Sequence, residues 1–245
     1  MVQASLGSFL QEMDTRQRDA YAQLDIFRPE TGGRFDLQQK QYFLKVFYHT
    51  RGHFDRLLWT RLVYAPGVKE KHQILQYLAE EAGLSDLETE KDQPAHEILF
   101  AAFAESVGVL LTPELTEQEA YLPFARRFNQ GLVAWFREHD WQSGSIAFCA
   151  YERLDNLDYA FLYELARCFS VPETALQFFI VHQQADHFEK TSADLPKQWE
   201  QDPQRVREAF AFIYEHQRQM WQGLSEAMSG FRTRSGHEFS PVRGR

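Results

Sequence analysis

Between Ser143 and Phe169 the chain is apolar almost all the way round a helix, with Ile146, Phe148, Tyr151, Leu154, Leu157, Phe161, Leu162 and Leu165 spread over its faces. Such a helix would expose most of its perimeter to solvent if it lay on a surface, so it belongs at the centre of a bundle. Glu152 sits inside it, in Phe148-Cys149-Ala150-Tyr151-Glu152-Arg153-Leu154. A carboxylate there needs a partner, because burying an unpaired charge is costly.

The flanking sequence carries the same helical period, with no convincing strand alternation, and predicts an all-α domain of seven or eight helices. A gapped helical pattern runs from Ser5 to Leu24, and Asp36 reads as the N-cap of a long helix closed by Pro66. A third helix, from about Glu70 to Ala82, ends at Gly83, a C-cap candidate, before an acidic loop. Pro94 suits a first helical position in the fourth, and Thr116-Glu117-Gln118-Glu119 reads as a capping box for the fifth. Pro172-Glu173 opens a helix through residues 181–189, and the last amphipathic helix reaches about Met228. The expected organisation is one helical domain, residues 1–229, and a flexible basic tail, residues 230–245.

The chain has 245 residues, 44% of them hydrophobic, enough for one sizeable core. With 35 acidic and 26 basic residues the formal net charge is −9, which argues against binding nucleic acid or an anionic membrane through the overall field. Cys149 and Cys168 lie 19 residues apart in one predicted helix, about 28 Å along its axis, too far to pair. Reduced thiols, the lack of a secretory signal and the lack of an apolar run near ~18 residues together predict a soluble, cytoplasmic protein.

The stretch Val181-His182-Gln183-Gln184-Ala185-Asp186-His187-Phe188-Glu189 concentrates unusual chemistry. On one continuous helix His182, Asp186 and Glu189 share a side with the apolar Phe178 and Ala185, whereas His187 points elsewhere and reads as a surface residue. Without metal, inward charges of this kind repel one another. Glu80 in the last turn of the third helix and His96 at the start of the fourth place further donors where a core is expected. The set Glu80, His96, Glu152, His182, Asp186 and Glu189 comprises four carboxylates and two imidazoles, the inventory with which helical bundles hold two iron or manganese ions. Four members have another reading: Glu152 paired with Arg153 or Arg167, His182 a hydrogen-bonded core histidine, Glu80 a solvated helix end, His96 a surface residue. His49 and His53, four apart on one predicted helix face, line a pocket or are exposed. There is no Gly-rich phosphate loop, nucleophile elbow or CxxC.

The order Glu-Glu-x-Gly, then His before an aliphatic-aromatic run, then Tyr-Glu, then His-x3-Asp resembles the haem-oxygenase-like di-metal oxidases, among them the chlamydial death-domain-associating protein. The fold also includes thiaminase II and pyrroloquinoline quinone synthase. The resemblance covers residues 5–228 and implies Glu80, His96, Glu152, His182 and Asp186 as metal ligands, with Tyr151 beside the site. Two departures stand out. Glu189 occupies the place of the family's third imidazole, seven residues after His182, and the 16-residue step from Glu80 to His96 exceeds the family's spacing, so Glu81, Glu88 and Glu90 are alternatives to Glu80. Ser145 stands where the thiaminase nucleophilic cysteine would be, and Cys149 is out of register.

The resemblance therefore implies a non-haem di-iron (or Fe/Mn) oxidase or oxygenase that uses dioxygen as co-substrate to oxidise a small organic molecule. Tyr151, His53 and Tyr48 are candidates for pocket or proton-transfer roles. The alternatives are a metal-free thiaminase-like hydrolase or transferase, and a non-catalytic binding bundle of the same fold. Relatives with this fold often form homodimers, which makes a homodimer an expectation here.

Overall fold

A computed structural model describes residues 5–84, 94–184 and 187–235. The helical segments are α1 (Leu6–Ala22), α2 (Pro29–Gly32), α3 (Leu37–Arg51), α4 (Phe54–Tyr64), α5 (Val68–Glu81), α6 (His96–Ser106), α7 (Thr112–Thr116), α8 (Pro123–Glu138), α9 (Trp141–Arg167), α10 (Gln177–Gln184), α11 (His187–Thr191), α12 (Leu195–Gln201) and α13 (Pro203–Ser235). Short 3-10 turns cover Asp25–Phe27 and Glu173–Leu176. Among the described residues there is no strand, and eight of the helices have eleven residues or more.

Local chemistry sets the main boundaries. Asp36 and Gln39 form a reciprocal capping box at the start of α3, and the Asp140 side chain accepts from the Ser143 amide to start α9. Gly83, just past the end of α5, has φ of 70°, a conformation that costs glycine nothing. The predicted capping box at Thr116–Glu119 does not form. Thr116 ends the short α7, Gln118 has φ of 54°, and α8 begins at Pro123, whose fixed φ suits a first helical turn.

The long helix expected from Asp36 to Pro66 is two helices that meet at Gly52. A Cβ there would stand 2.6 Å from the Tyr48 carbonyl oxygen and 2.9 Å from the Tyr48 ring, so the break needs a glycine. Gly52→Ala should destabilise the chain by about 1–3 kcal/mol, measured by denaturant unfolding; an unchanged midpoint would show that the turn relaxes freely.

α9 lies at the centre, packed against α13, α10 and α11, while α8 bridges α3, α4 and α13. Trp221 of α13 is fully buried and stacks on Phe47 of α3, which meets Phe100 of α6 and, through it, Phe178 of α10. Each such side chain contributes roughly 1.5–3 kcal/mol through burial. This aromatic seam ends one helical turn before His182 and fixes the position of α10 against α9.

The helix expected through residues 181–189 is described as α10 and α11, on either side of residues 185 and 186, which lie outside the described residues. The last helix runs past Met228 through Gly230 to Ser235, where Phe231 stacks on Tyr42 at 4.4 Å. A helical glycine costs only about 1 kcal/mol, less than the contact of two large rings returns. Residues 236–245 lie outside the described residues.

Candidate metal centre

A cavity of about 500 Å³ opens beside α9 and collects donors from five helices. Glu81 of α5, His96 of α6, Glu152 and Asp155 of α9, His182 of α10 and His187 of α11 all line it. The rest of the wall mixes aromatic side chains, among them Phe47, Tyr48, Phe54, Phe100, Tyr151, Tyr159 and Phe178, with charged and polar ones such as Arg51, Asp55, Glu97 and Glu114.

The α9 contribution follows from helical period. Tyr151, Glu152, Asp155, Asp158 and Tyr159 share one side of the helix and form a polar stripe through its otherwise apolar surface. Glu152 is 3% exposed, and burial pushes its carboxyl up from the usual range against the hydrogen bond from His187. Arg51 answers the rest of the stripe. It is buried, pairs with Asp155, lies 3.9 Å from Asp158, and its guanidinium faces the Tyr151 and Tyr159 rings at 5.1 and 5.3 Å. Burial raises Asp155, and raises Asp158 to about 7, with Arg51 acting in the opposite direction in both cases. Arg153 does not pair with Glu152; it makes a two-pronged contact with Asp14.

The imidazoles are held in defined states. His182 Nδ1 donates to the Phe178 carbonyl at 2.7 Å, which leaves Nε2 with its lone pair. Burial and the neighbouring His96, whose ring is 4.4 Å away, keep His182 well below its ordinary value and therefore neutral. His96 Nδ1 donates to Glu81 Oε2 at 2.9 Å, since a carboxylate can only accept. Metal-ligating histidines are typically held by a second hydrogen bond of these two kinds, to a backbone carbonyl or to a carboxylate.

His187 is the main correction to the sequence reading. It is no surface residue: Nδ1 lies 3.3 Å from Glu152 Oε2, and Nε2 lies 3.6 Å from Glu80 Oε2. Glu189, expected to point inward, is exposed. One ideal helix through residues 182–189 would place these two side chains the other way round. Asp186, Glu88 and Glu90 lie outside the described residues. Glu80 is half-buried, reaches His187 and Lys190, and is not part of the cavity wall, whereas Glu81 is. Tyr151, Tyr48 and His53 all line the cavity. Cys149 and Cys168 are free thiols, and burial pushes Cys149 up to about 12, which makes it a poor nucleophile.

Burial opposes charge on His187, but the hydrogen bond and charge of Glu152, joined by Glu80 and Glu81, raise it from 6.5 to about 9. Its folded value lies above its unfolded one, so its stabilising contribution is complete below pH 6.5 and disappears as the pH rises through about 9. The contribution is at most about 3 kcal/mol. The metal-free chain should lose stability between those pH values, and His187→Gln should flatten that dependence; equal slopes in the two chains would contradict the pairing.

Residues 41–228 match the family described as iron-containing redox enzyme. The chain belongs to this family. No curated protein matches it in sequence. Among solved structures it is similar to a domain of unknown function with a heme oxygenase-like fold from Shewanella denitrificans, with TM-score 0.71, 13% identity, and coverage of 97% of this chain and 99% of that one. It is also similar to a CADD-like protein of unknown function from Nostoc punctiforme, with TM-score 0.64, 15% identity, and coverage of 89% and 97%. These likenesses show the fold, an all-α bundle of the haem-oxygenase-like kind; function has to be argued from the site.

The donors fit iron in kind, being carboxylates with neutral or neutralisable imidazoles. As they lie, no three of them among the described residues converge closely enough to hold an ion. The pairs His96–Glu81 and His187–Glu152 satisfy each other, and the raised His187 supplies positive charge between Glu152 and Glu80. No helix among the described residues is long and apolar enough to cross a membrane.

Proposed function

We propose that the protein is a non-haem iron oxidase or oxygenase that holds two iron ions, or iron with manganese, and uses dioxygen to oxidise a small organic molecule. The observation that carries this reading is that Glu81, His96, Glu152, Asp155, His182 and His187 all line one cavity. Glu152, His182 and His96 would be ligands, with Glu81 or Glu80 and, after losing its proton, His187; Asp186 comes from the sequence reading alone. Glu189 is replaced in this reading by His187, which restores a third imidazole. Iron bound there supplies one-electron exchange and a means of using dioxygen as oxidant.

The chain's own residues do the remaining work. Phe47, Phe54, Phe100 and Phe178 give the substrate's apolar body a surface to bury and keep water from the donors. Arg51 holds Asp155 and compensates its charge, so that the α9 stripe keeps its geometry without a metal. Tyr151, Tyr48 and His53 are the polar groups placed to orient a substrate in the same cavity.

The test is anaerobic reconstitution with ferrous iron followed by metal analysis. Close to two ions per chain are expected, with a stabilisation of about 2.7 kcal/mol at ligand concentrations a hundredfold above Kd. Aeration should then give a transient visible absorption. Less than one ion per chain would remove the reading.

A further inference from the structure

A second group of titratable side chains includes Glu114 and His53, which line the same cavity as the donors just described. Glu114 of α7 is 3% exposed, and its Oε2 accepts from His49 Nε2 and from the Ala120 amide, each at 3.0 Å. His49 is fully buried, and its Nδ1 lies 3.3 Å from His53 Nε2. The Tyr121 ring lies against both imidazoles, at 4.8 and 4.9 Å. Asn129 Nδ2 ties the assembly together by donating to the His49 carbonyl and to the Tyr121 hydroxyl oxygen. Lys45, half-exposed, comes within 3.8 Å of Glu114 Oε1.

The donors and acceptors fix a direction. A carboxylate accepts only, so His49 carries its proton on Nε2, and its Nδ1 must then accept from His53 Nε2. That leaves His53 Nδ1 with a free lone pair, and among the described residues nothing hydrogen-bonds it. His53 lines the cavity of the donor cluster and also a second cavity of about 410 Å³ beside it. The chain of groups reaches the cavity wall at His53, its basic end, as well as at Glu114, and its direction is set by the hydrogen bonds.

We propose that Glu114, His49 and His53 form an acid–base relay in which His53 Nδ1 takes a proton from a weakly acidic N–H or O–H of a small organic molecule in the cavity. As His53 Nδ1 gains that proton, its Nε2 proton passes to His49 Nδ1, and the His49 Nε2 proton passes to Glu114 Oε2. Three bonds to hydrogen form and three break; the negative charge moves from Glu114 to the bound molecule, and both imidazoles stay neutral with tautomers exchanged. The concerted form suits the site, because burial lowers His49 and lowers His53 to about 4, so a discrete imidazolium is disfavoured. Arg56 and Arg126 face both rings and act in the same direction, Lys45 sits at the far end, and Tyr48 and Tyr121 complete the surroundings. His53 is the catalytic residue of this relay; His49 and Glu114 are positioning residues. The identity of the oxidised molecule rests on the function proposed above, but the relay's polarity does not.

The test uses the full-length metal-free chain labelled with nitrogen-15 histidine, with His49→Gln and His53→Gln assigning the signals. At pH 7 both imidazoles should be neutral, each protonated on Nε2. Diethyl pyrocarbonate, mapped by mass spectrometry, should modify His53 and spare His49. Glu114→Gln should mix the His49 tautomers and slow His53 modification by at least about tenfold. A purely structural Glu114 would leave that reactivity unchanged. The relay is overturned by a proton on His49 Nδ1, by an imidazolium at pH 7, or by His53 resisting the reagent while the fold is intact. His53→Gln should bind as much iron as the parent; failure of the parent to bind iron would count against the oxidase reading alone.

Discussion

Replacing Glu152 with alanine is expected to abolish iron binding while leaving the bundle folded. Glu152 is the acid that the central helix buries most deeply within the cavity wall, and it faces His187 at 3.3 Å. Loss of groups that merely orient ligands already costs ten- to a hundredfold in metal affinity, so loss of a ligand should exceed ~100-fold. The metal-free fold should change little, by about 1–2 kcal/mol, because His187 keeps Glu80 as a partner and one buried charge disappears. Metal analysis beside far-ultraviolet circular dichroism separates the two effects. Unchanged iron content in a folded Glu152→Ala chain would move the centre elsewhere.

A larger loss of stability is expected from Arg51→Met. The substitution keeps much of the side-chain volume but leaves Asp155 and Asp158 buried without their cation and takes the guanidinium from between Tyr151 and Tyr159. Breaking a buried pair from one side typically costs about 3–5 kcal/mol. The sign of its pH dependence follows from the carboxylates. Burial already raises both, and without Arg51 they rise further, so the folded variant binds more protons than its unfolded chain and gains stability as the pH falls. The deficit should therefore shrink on acidification. A deficit independent of pH between about 5 and 8 would assign the loss to packing instead.

The fold was legible because its signal is periodic and long. The apolar run between Ser143 and Phe169 is α9, and the Asp36 cap and the Gly83 stop hold in the structure. The central acid could be singled out at Glu152, yet Asp155 and Asp158 at the following i+3 steps carried the same periodic signal and were missed. What could not be read was which side chains beyond His182 turn inward: His187 reaches Glu152 and Glu189 is exposed, the reverse of what one ideal helix through residues 182–189 predicts. Arg51 was equally hidden, since its partners are about a hundred residues away in sequence and only the packing of α3 on the bundle brings them together.

Arg51 and the raised His187 already stand among Asp155, Asp158, Glu152 and Glu80, so carboxylate repulsion is met by the chain itself without any ion. On the proposed function, folding would then come first, and uptake of iron would follow as an exchange against the His187 proton rather than organise the polypeptide.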